Sequence, residues 1–124
     1  MTQPIKYQRI ESAVVFVASL YFYVHLKLPL VLFFVFLFSI DIFMVGYLKS
    51  KVVGARLYNI GHSLIIPPLL LVIGVAMDRR MIIAAGLIWL AHIGFDRALG
   101  YGLKLPTDFT DTHLGKIGNP KIAK

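Results

Sequence analysis

The stretch LIWLAHIGFDRALGYG, residues 87–102, decides the fold class of this chain. It begins as apolar as a lipid-facing helix and then places His92, Asp96 and Arg97 within six positions. Across the 124 residues, 58% are hydrophobic and 15% are charged, whereas a soluble domain carries about 25% charged residues. The composition therefore predicts a single-domain, all-α integral membrane protein, in which three neighbouring ionisable groups require a role.

Four apolar segments are predicted to be transmembrane helices, because each approaches the ~20 residues that cross a bilayer. They lie at about residues 10–26, 30–48, 57–77 and 81–100, and a tail covers 101–124. Pro29 separates the first two, since proline cannot donate a hydrogen bond to a continuing helix. Pro67 and Pro68 predict a bend in the third helix, one turn after His62.

The distribution of basic residues predicts the orientation. Short loops make neighbouring helices antiparallel, and ten Lys and Arg then fall on the side of both termini against three on the other. The positive-inside rule places both termini in the cytoplasm. The net charge of +7 is assigned to topology and lipid headgroups, because no basic run is dense enough to bind nucleic acid.

Ionisable residues from three helices are predicted to share one depth, in the cytoplasmic third of the membrane. At ~1.5 Å per residue, Asp41, His62 and His92 lie ~10, ~8 and ~12 Å from that surface. Asp96 lies ~6 Å deep and shares a helix face with His92 at spacing i, i+4. An intramembrane charge costs ~2.5 kcal/mol or more and must find a partner. We therefore expect these four side chains to face one cavity.

The tail contains GYGLKLPTDFTDTHLGKIG, residues 100–118. Gly100 and Gly102 permit a backbone turn, and Pro106 opposes helix continuation. We expect residues 101–118 to be ordered against the cytoplasmic mouth of the cavity, with His113 near His92 or Asp96.

Three blocks of the sequence, DIFMVGYL, GARLYNIGHS and IWLAHIGFDRALGYGLKLPTDFTDTHLGKIG, resemble a family of small bacterial membrane proteins, domain of unknown function 4260. The resemblance covers about residues 32–118. It implies a four-helix membrane fold in a bacterial inner membrane and no established activity. The matching polar and glycine positions are Asp41, Tyr58, Asn59, His62, His92, Asp96, Arg97, Gly100, Tyr101, Gly102, Lys104, Asp111, Thr112 and His113.

A looser chemical analogy is to membrane-embedded metal hydrolases of the ceramidase and adiponectin-receptor type, which hold zinc with a Ser, an Asp and three His. The residue types are supplied here by Ser39, Asp41, His62, His92 and His113. The spacing differs, because Asp96 rather than a histidine follows His92 by one helix turn. The likeness is therefore one of chemistry.

The function expected from these residues is that of a metal-dependent hydrolase acting on a lipid or amphiphile from the cytoplasmic leaflet. The predicted metal ligands are His62, His92, Asp96 and His113, which suit zinc first and manganese or iron as alternatives. Asp41 is the expected general base, and Asp96 and Arg97 are also assigned to catalysis. The expected cofactor- or substrate-binding residues are Tyr58, Asn59, Tyr101, Lys104 and Asp111.

Three other functions fit the same residues. A metal-free isomerase or cyclase would use them as acids and bases with pKa values shifted by burial. A transporter would need a homodimer, since four short helices form a thin pathway alone. A haem protein would use His62 and His92 as axial ligands but would not need Asp96. Metal analysis with an absorbance spectrum separates these alternatives.

Overall fold

The computed structural model describes residues 3–106 and 111–116. For residues 111, 115 and 116 it describes the backbone alone. Helices dominate this part of the chain: α1 (Gln3–His25), α2 (Leu30–Phe36), a 3₁₀ helix (Ser39–Leu48), α3 (Lys51–His62), α4 (Ile66–Ala76) and α5 (Arg80–Ala98). A two-residue antiparallel pair follows, β1 (Asp111–Thr112) with β2 (Gly115–Lys116). The predicted helical fold is confirmed, and the strand pair adds a feature that the sequence did not indicate.

Three helical segments in the described chain are long and apolar enough to cross a membrane: Leu30–Leu48, Lys51–Ala76 and Arg80–Ala98. The first predicted span is not among them. It begins at Gln3 rather than near residue 10, and its first three turns therefore include the charged Lys6, Arg9 and Glu11. The third span likewise starts earlier than predicted, at Lys51 instead of residue 57.

α1 lies along the full length of α5 in the opposite direction. At one end the Arg9 guanidinium donates to the Ala98 carbonyl at 2.9 Å, and at the other Arg80 donates to the Leu26 carbonyl at 2.6 Å. Gly94 allows the close approach, because a Cβ added there would lie 2.7 Å from the Ser12 carbonyl oxygen. The start of the described chain and the end of α5 therefore share one end of the molecule.

The other two spans are interrupted helices. Leu30–Leu48 breaks at residues 37–38 and continues as the 3₁₀ helix, although runs of this helix beyond 3–4 residues are uncommon. Lys51–Ala76 breaks at residues 63–65, where Ser63 is extended. The bend predicted from Pro67 and Pro68 is confirmed, since both prolines lie in the first turn of α4, where they need no hydrogen bond.

The chain after α5 folds back over the site end of the helices. Gly100 turns the backbone with φ +95°, a conformation that favours glycine. Lys104 then pairs in antiparallel fashion with Thr112, and Leu114 packs against Ile5 of α1. The ordered C-terminal segment is therefore confirmed for residues 101–106 and 111–116, whereas residues 107–110 and 117–124 of the predicted tail lie outside the described chain.

Candidate metal centre

Four side chains from three helical segments converge on one point. The Nε2 atoms of His62 and His92 are 2.9 Å apart. An Asp96 carboxylate oxygen lies 3.2 Å from the first and 3.1 Å from the second. An Asp41 oxygen lies 3.5 and 3.4 Å from the same two nitrogens. All four potential ligand atoms fall within 4.8 Å of one another, so the group could hold a metal ion.

His62 is the last residue of α3 and its ring is fixed by the helix that carries it. Nδ1 lies 3.0 Å from the Tyr58 carbonyl oxygen, which accepts a hydrogen bond but cannot donate one. The ring also stacks on Tyr58, with centroids 3.8 Å apart and planes 9° from parallel. We infer that Nδ1 carries the proton and that the Nε2 lone pair faces the cluster.

His92 and Asp96 occupy one face of the continuous helix α5, as their i, i+4 spacing predicts. The His92 ring is fully buried and lies edge-on to Phe38, with centroids 6.1 Å apart. Its Nδ1 atom is buried without a hydrogen-bond partner in the part of the chain that the structure describes. Apolar packing thus holds this ring with Nε2 directed at His62.

The break after His62 frees backbone carbonyls, and α5 supplies donors for two of them. The Trp89 indole N–H donates to the Gly61 carbonyl at 2.5 Å, and the Arg97 guanidinium donates to the His62 carbonyl at 3.2 Å. Such carbonyls at a helix end need partners, and a cation there also meets the negative end of the helix dipole. Trp89 is a site residue that the sequence analysis missed, since a lone Trp in an apolar run indicates packing only.

A cavity of about 410 Å³ adjoins the cluster. Its charged lining residues are Asp41, Asp96 and Lys104, and its other lining residues are Phe38, Met44, Tyr58, Phe95 and Tyr101. Asp41 is the most accessible ligand of the four, with a side chain that is 41% exposed against 13% for Asp96. Asp41 therefore stands between the buried part of the cluster and the cavity.

Lys104 and Asn59 join the C-terminal segment to the site. The Asn59 amide donates to the Lys104 carbonyl at 2.8 Å and accepts from its backbone N–H at 2.5 Å. The Lys104 ammonium lies 4.8 Å from the centroid of the Tyr58 ring. Burial lowers the pKa of Lys104 to about 8, although the charges of Asp96 and Asp41 act in the opposite direction. Tyr58, Tyr101 and Lys104 thus reach the cavity, and Asn59 holds Lys104 in place.

His113 is placed away from the four ligand atoms and is not part of the group. The ring nitrogen Nδ1 of His113 accepts a hydrogen bond from the Leu103 backbone N–H at 2.8 Å, and the backbone N–H of His113 donates to the Leu103 carbonyl. Burial and the nearby Arg97 charge lower the pKa of His113. Ser39 is engaged with the Phe36 carbonyl instead of the cluster, and the predicted role of Asp111 rests on a side chain outside the described structure.

The chain matches the profile of DUF4260, a domain of unknown function, over residues 5–117. The chain belongs to this family. No protein of curated function and no solved structure shows a significant similarity to it. Membership of DUF4260 confirms the resemblance that the three sequence blocks indicated. In this member of the family, the cluster of two histidines and two aspartates is a candidate metal centre.

Proposed function

We propose that the chain is a membrane-embedded metalloenzyme that hydrolyses an amphiphile reaching the site from the cytoplasmic leaflet. The observation that carries the proposal is the convergence of four potential ligand atoms, from two buried histidines, His62 and His92, and from Asp41 and Asp96. Lone pairs at 2.9–3.5 Å repel one another unless a cation or protons lie between them. A proton bridges two of these atoms, whereas one metal ion satisfies all four.

The spacing of the ligand atoms suits zinc. Four ligands held tetrahedrally at ~2.0–2.1 Å from zinc lie ~3.3 Å from one another. The five distances that involve the histidines run from 2.9 to 3.5 Å. Two imidazoles and two carboxylates also suit manganese or iron. Zinc is therefore the first candidate and the other two are alternatives.

The cluster divides into three close ligands and one looser one. His62, His92 and Asp96 lie within 3.2 Å of each other, and all three are largely buried. Catalytic zinc sites use three protein ligands of this kind and leave the fourth position for water. Asp41 is more distant and more exposed, so with water in the fourth position it would serve as the proton acceptor rather than as a ligand.

The cellular arrangement is proposed from the positive-inside rule together with the packing of α1 on α5. The residues described at the start of α1 and those after α5 lie at one end, which is also the end that carries the cluster. Ten of the thirteen Lys and Arg belong to that side under the predicted topology. We therefore place the cluster and both termini at the cytoplasmic face of the inner membrane.

Elemental analysis of the detergent-purified full chain, with an absorbance spectrum, tests the metal. We expect about one metal equivalent per chain and no Soret band, because His62 and His92 lie too close together to sit on opposite sides of a haem. His62→Ala and His92→Ala should each retain less than about a tenth of the metal, since each removes a ligand from a small set.

His25→Ala and His113→Ala are the matched controls, because neither residue belongs to the ligand group; both should keep the metal. Protein that stays metal-free after incubation with zinc, manganese and iron would reject the metalloenzyme. In that case a proton shared by His62 and His92 would account for the short distance between them. The metal-free acid/base enzyme would then be the remaining candidate.

A further inference from the structure

A second cavity, of about 250 Å³, lies between the break at residues 37–38 and the first half of α5. Seven of its nine lining residues have apolar side chains. The two others, Ser39 and Trp89, already donate hydrogen bonds to the carbonyls of Phe36 and Gly61. The side chains that line this cavity therefore leave no donor for a polar ligand, which would lose its hydration without compensation. The cavity fits an apolar group.

The second cavity and the cavity beside the cluster lie along the same face of α5. Ile88 and Trp89 line the second cavity, and Phe95 and Asp96 line the cavity beside the cluster. Each residue of the first pair precedes its counterpart by about two helix turns, which is ~10 Å along the helix axis. His92 falls between the two pairs on that face. The two cavities are therefore arranged one after the other along the helix that carries two of the ligands.

The chain around the break at residues 37–38 forms a wall of both cavities. Ile40 lines the second cavity, whereas Phe38 and Asp41 line the cavity beside the cluster. The Phe38 ring lies edge-on to the ring of His92, with centroids 6.1 Å apart, and Phe38 is 54% exposed. A half-exposed ring changes rotamer readily, so rotation of Phe38 would open one cavity to the other.

We propose that the amphiphile hydrolysed at the cluster has a single chain of about eight to ten carbons, and that the second cavity binds this chain while the reacting group lies beside the cluster. This inference rests on the proposed metalloenzyme. A cavity of about 250 Å³ has room for roughly eight groups of ~30 Å³, the share of one water molecule in the liquid. In the proposed topology the chain would point to the centre of the bilayer, as the lipid chains of the cytoplasmic leaflet do.

Photo-crosslinking with alkyl hydroxamic acids tests this inference, because a hydroxamate chelates a divalent metal and brings its chain to the site. The probe is a ten-carbon hydroxamic acid with a diazirine at the far end, added to the metal-loaded full chain in phosphatidylcholine nanodiscs. We expect crosslinks at residues 32–40 and 81–89. Acetohydroxamic acid, which competes for the metal without a chain, should abolish them. A fourteen-carbon probe should give about fivefold fewer, because its end does not fit inside the cavity.

Two variants change the size of the second cavity in opposite directions. Ala85 is an exposed lining residue on α5, so Ala85→Leu should fill the cavity and lower crosslinking of the ten-carbon probe by about fivefold. Phe36 is also an exposed lining residue, so Phe36→Ala should enlarge the cavity and raise crosslinking of the fourteen-carbon probe.

Ala76→Leu is the matched control for Ala85→Leu. Ala76 is the exposed last residue of α4 and lines neither cavity, so the substitution should leave crosslinking by both probes unchanged. All three variants should keep the metal content of the natural chain, because none of the substituted residues belongs to the ligand group.

The outcomes separate this inference from the proposed function. Crosslinks that acetohydroxamic acid abolishes but that fall on lipid or on other helices would overturn the second cavity as the chain site, while the metal centre stands. Crosslinks that resist acetohydroxamic acid, or that a ten-carbon alcohol with the same diazirine forms equally well, would leave an ordinary lipid chain as the occupant and overturn the inference. A natural chain without metal would overturn the proposed function and this inference with it, and elemental analysis alone would identify that failure.

Discussion

α5 and the segment Lys51–Ala76 reach the same site by opposite means. α5 is one continuous helix, and its regular geometry places His92 and Asp96 on one face. Lys51–Ala76 is broken at residues 63–65, and its ligand His62 is the last residue before the break. Non-helical backbone at membrane depth is tolerated only where protein or a polar cavity surrounds it. α5 lies against the start of this interruption and supplies hydrogen-bond donors there.

The continuous helix α5 supplies the hydrogen-bond donors that the broken segment Lys51–Ala76 lacks at its interruption. Trp89 and Arg97 of α5 donate to the two carbonyls that precede the break, and the same helix contributes two of the four ligand atoms. Leu30–Leu48 follows the interrupted pattern, since Asp41 comes three residues after the break at residues 37–38. α5 is therefore the continuous scaffold of the site, and the interrupted spans bring their ligands to it.

The hydrogen bond from Arg97 to the His62 carbonyl is the charged one of these two bonds, and its loss should have the largest effect on stability. Arg97→Met leaves the His62 carbonyl without its charged donor, so we expect a loss of about 1.5–3 kcal/mol of unfolding free energy. Because that carbonyl belongs to a ligand residue, metal affinity should also fall, by about 10–100-fold as for other outer-shell partners. Thermal unfolding in detergent and metal competition with a chelator measure the two effects.

Two variants complete this experiment. Trp89→Phe removes a neutral donor to Gly61, one residue further from the break, and should cost less, about 0.5–1.5 kcal/mol. Arg56→Met removes an exposed arginine of α3 and should change neither quantity. If Arg97→Met keeps the metal affinity of the natural chain, the capping of His62 does not position the ligand.

The packing of the continuous helices is tested by two glycines of α5. A Cβ at Gly94 would lie 2.7 Å from the Ser12 carbonyl oxygen and 2.8 Å from the Phe16 nitrogen, both backbone atoms of α1. Small residues allow such close helix contacts in membranes. Gly94→Ala should therefore force α1 away from α5 and cost about 1–3 kcal/mol of unfolding free energy.

Gly86 provides the matched comparison on the same helix. Its added Cβ would first meet Cδ2 of Leu71, at 2.9 Å, and the end of a leucine side chain moves easily. Gly86→Ala also gains helix propensity worth up to about 1 kcal/mol, so it should be close to neutral. Equal losses for the two variants, measured by thermal unfolding in detergent, would show that α1 does not depend on the contact at Gly94.

Residue spacing predicted the parts of the site that lie on regular helix. The i, i+4 pair of His92 and Asp96 and the shared depth with His62 followed from 1.5 Å per residue, and Pro67 and Pro68 indicated the bend in Lys51–Ala76. The break at residues 37–38 carries neither proline nor glycine in its sequence LF, so the sequence pattern did not indicate it, although the Ser39 hydroxyl bridges it by donating to the Phe36 carbonyl. For the same reason the 3₁₀ helix was not predicted, whereas the convergence of Asp41 with His62, His92 and Asp96 was predicted and is confirmed.

The C-terminal segment shows where chain length alone is insufficient. Sixteen residues lie between Asp96 and His113, enough for a return to the cluster, and His113 was accordingly predicted to be a ligand. Hydrogen bonds to the backbone determine the register instead, because the Asn59 side chain holds the Lys104 main chain and the His113 N–H donates to the Leu103 carbonyl. The main-chain partners in these bonds carry no signal in the sequence.

The smallest effect concerns the acid stability of this segment. Nδ1 of His113 accepts the Leu103 N–H, and the pKa of His113 is lowered in the fold from its ordinary 6.5. As the pH falls through about 6.5, the undocked segment therefore binds a proton before the docked one, and docking loses free energy. Amide hydrogen exchange at Leu103 should rise on acidification in the natural chain. His113→Gln, which cannot titrate, should show a smaller rise, and the difference between the two chains removes the titration of all other groups. An identical pH dependence in both would show that His113 does not hold the segment through its neutral ring.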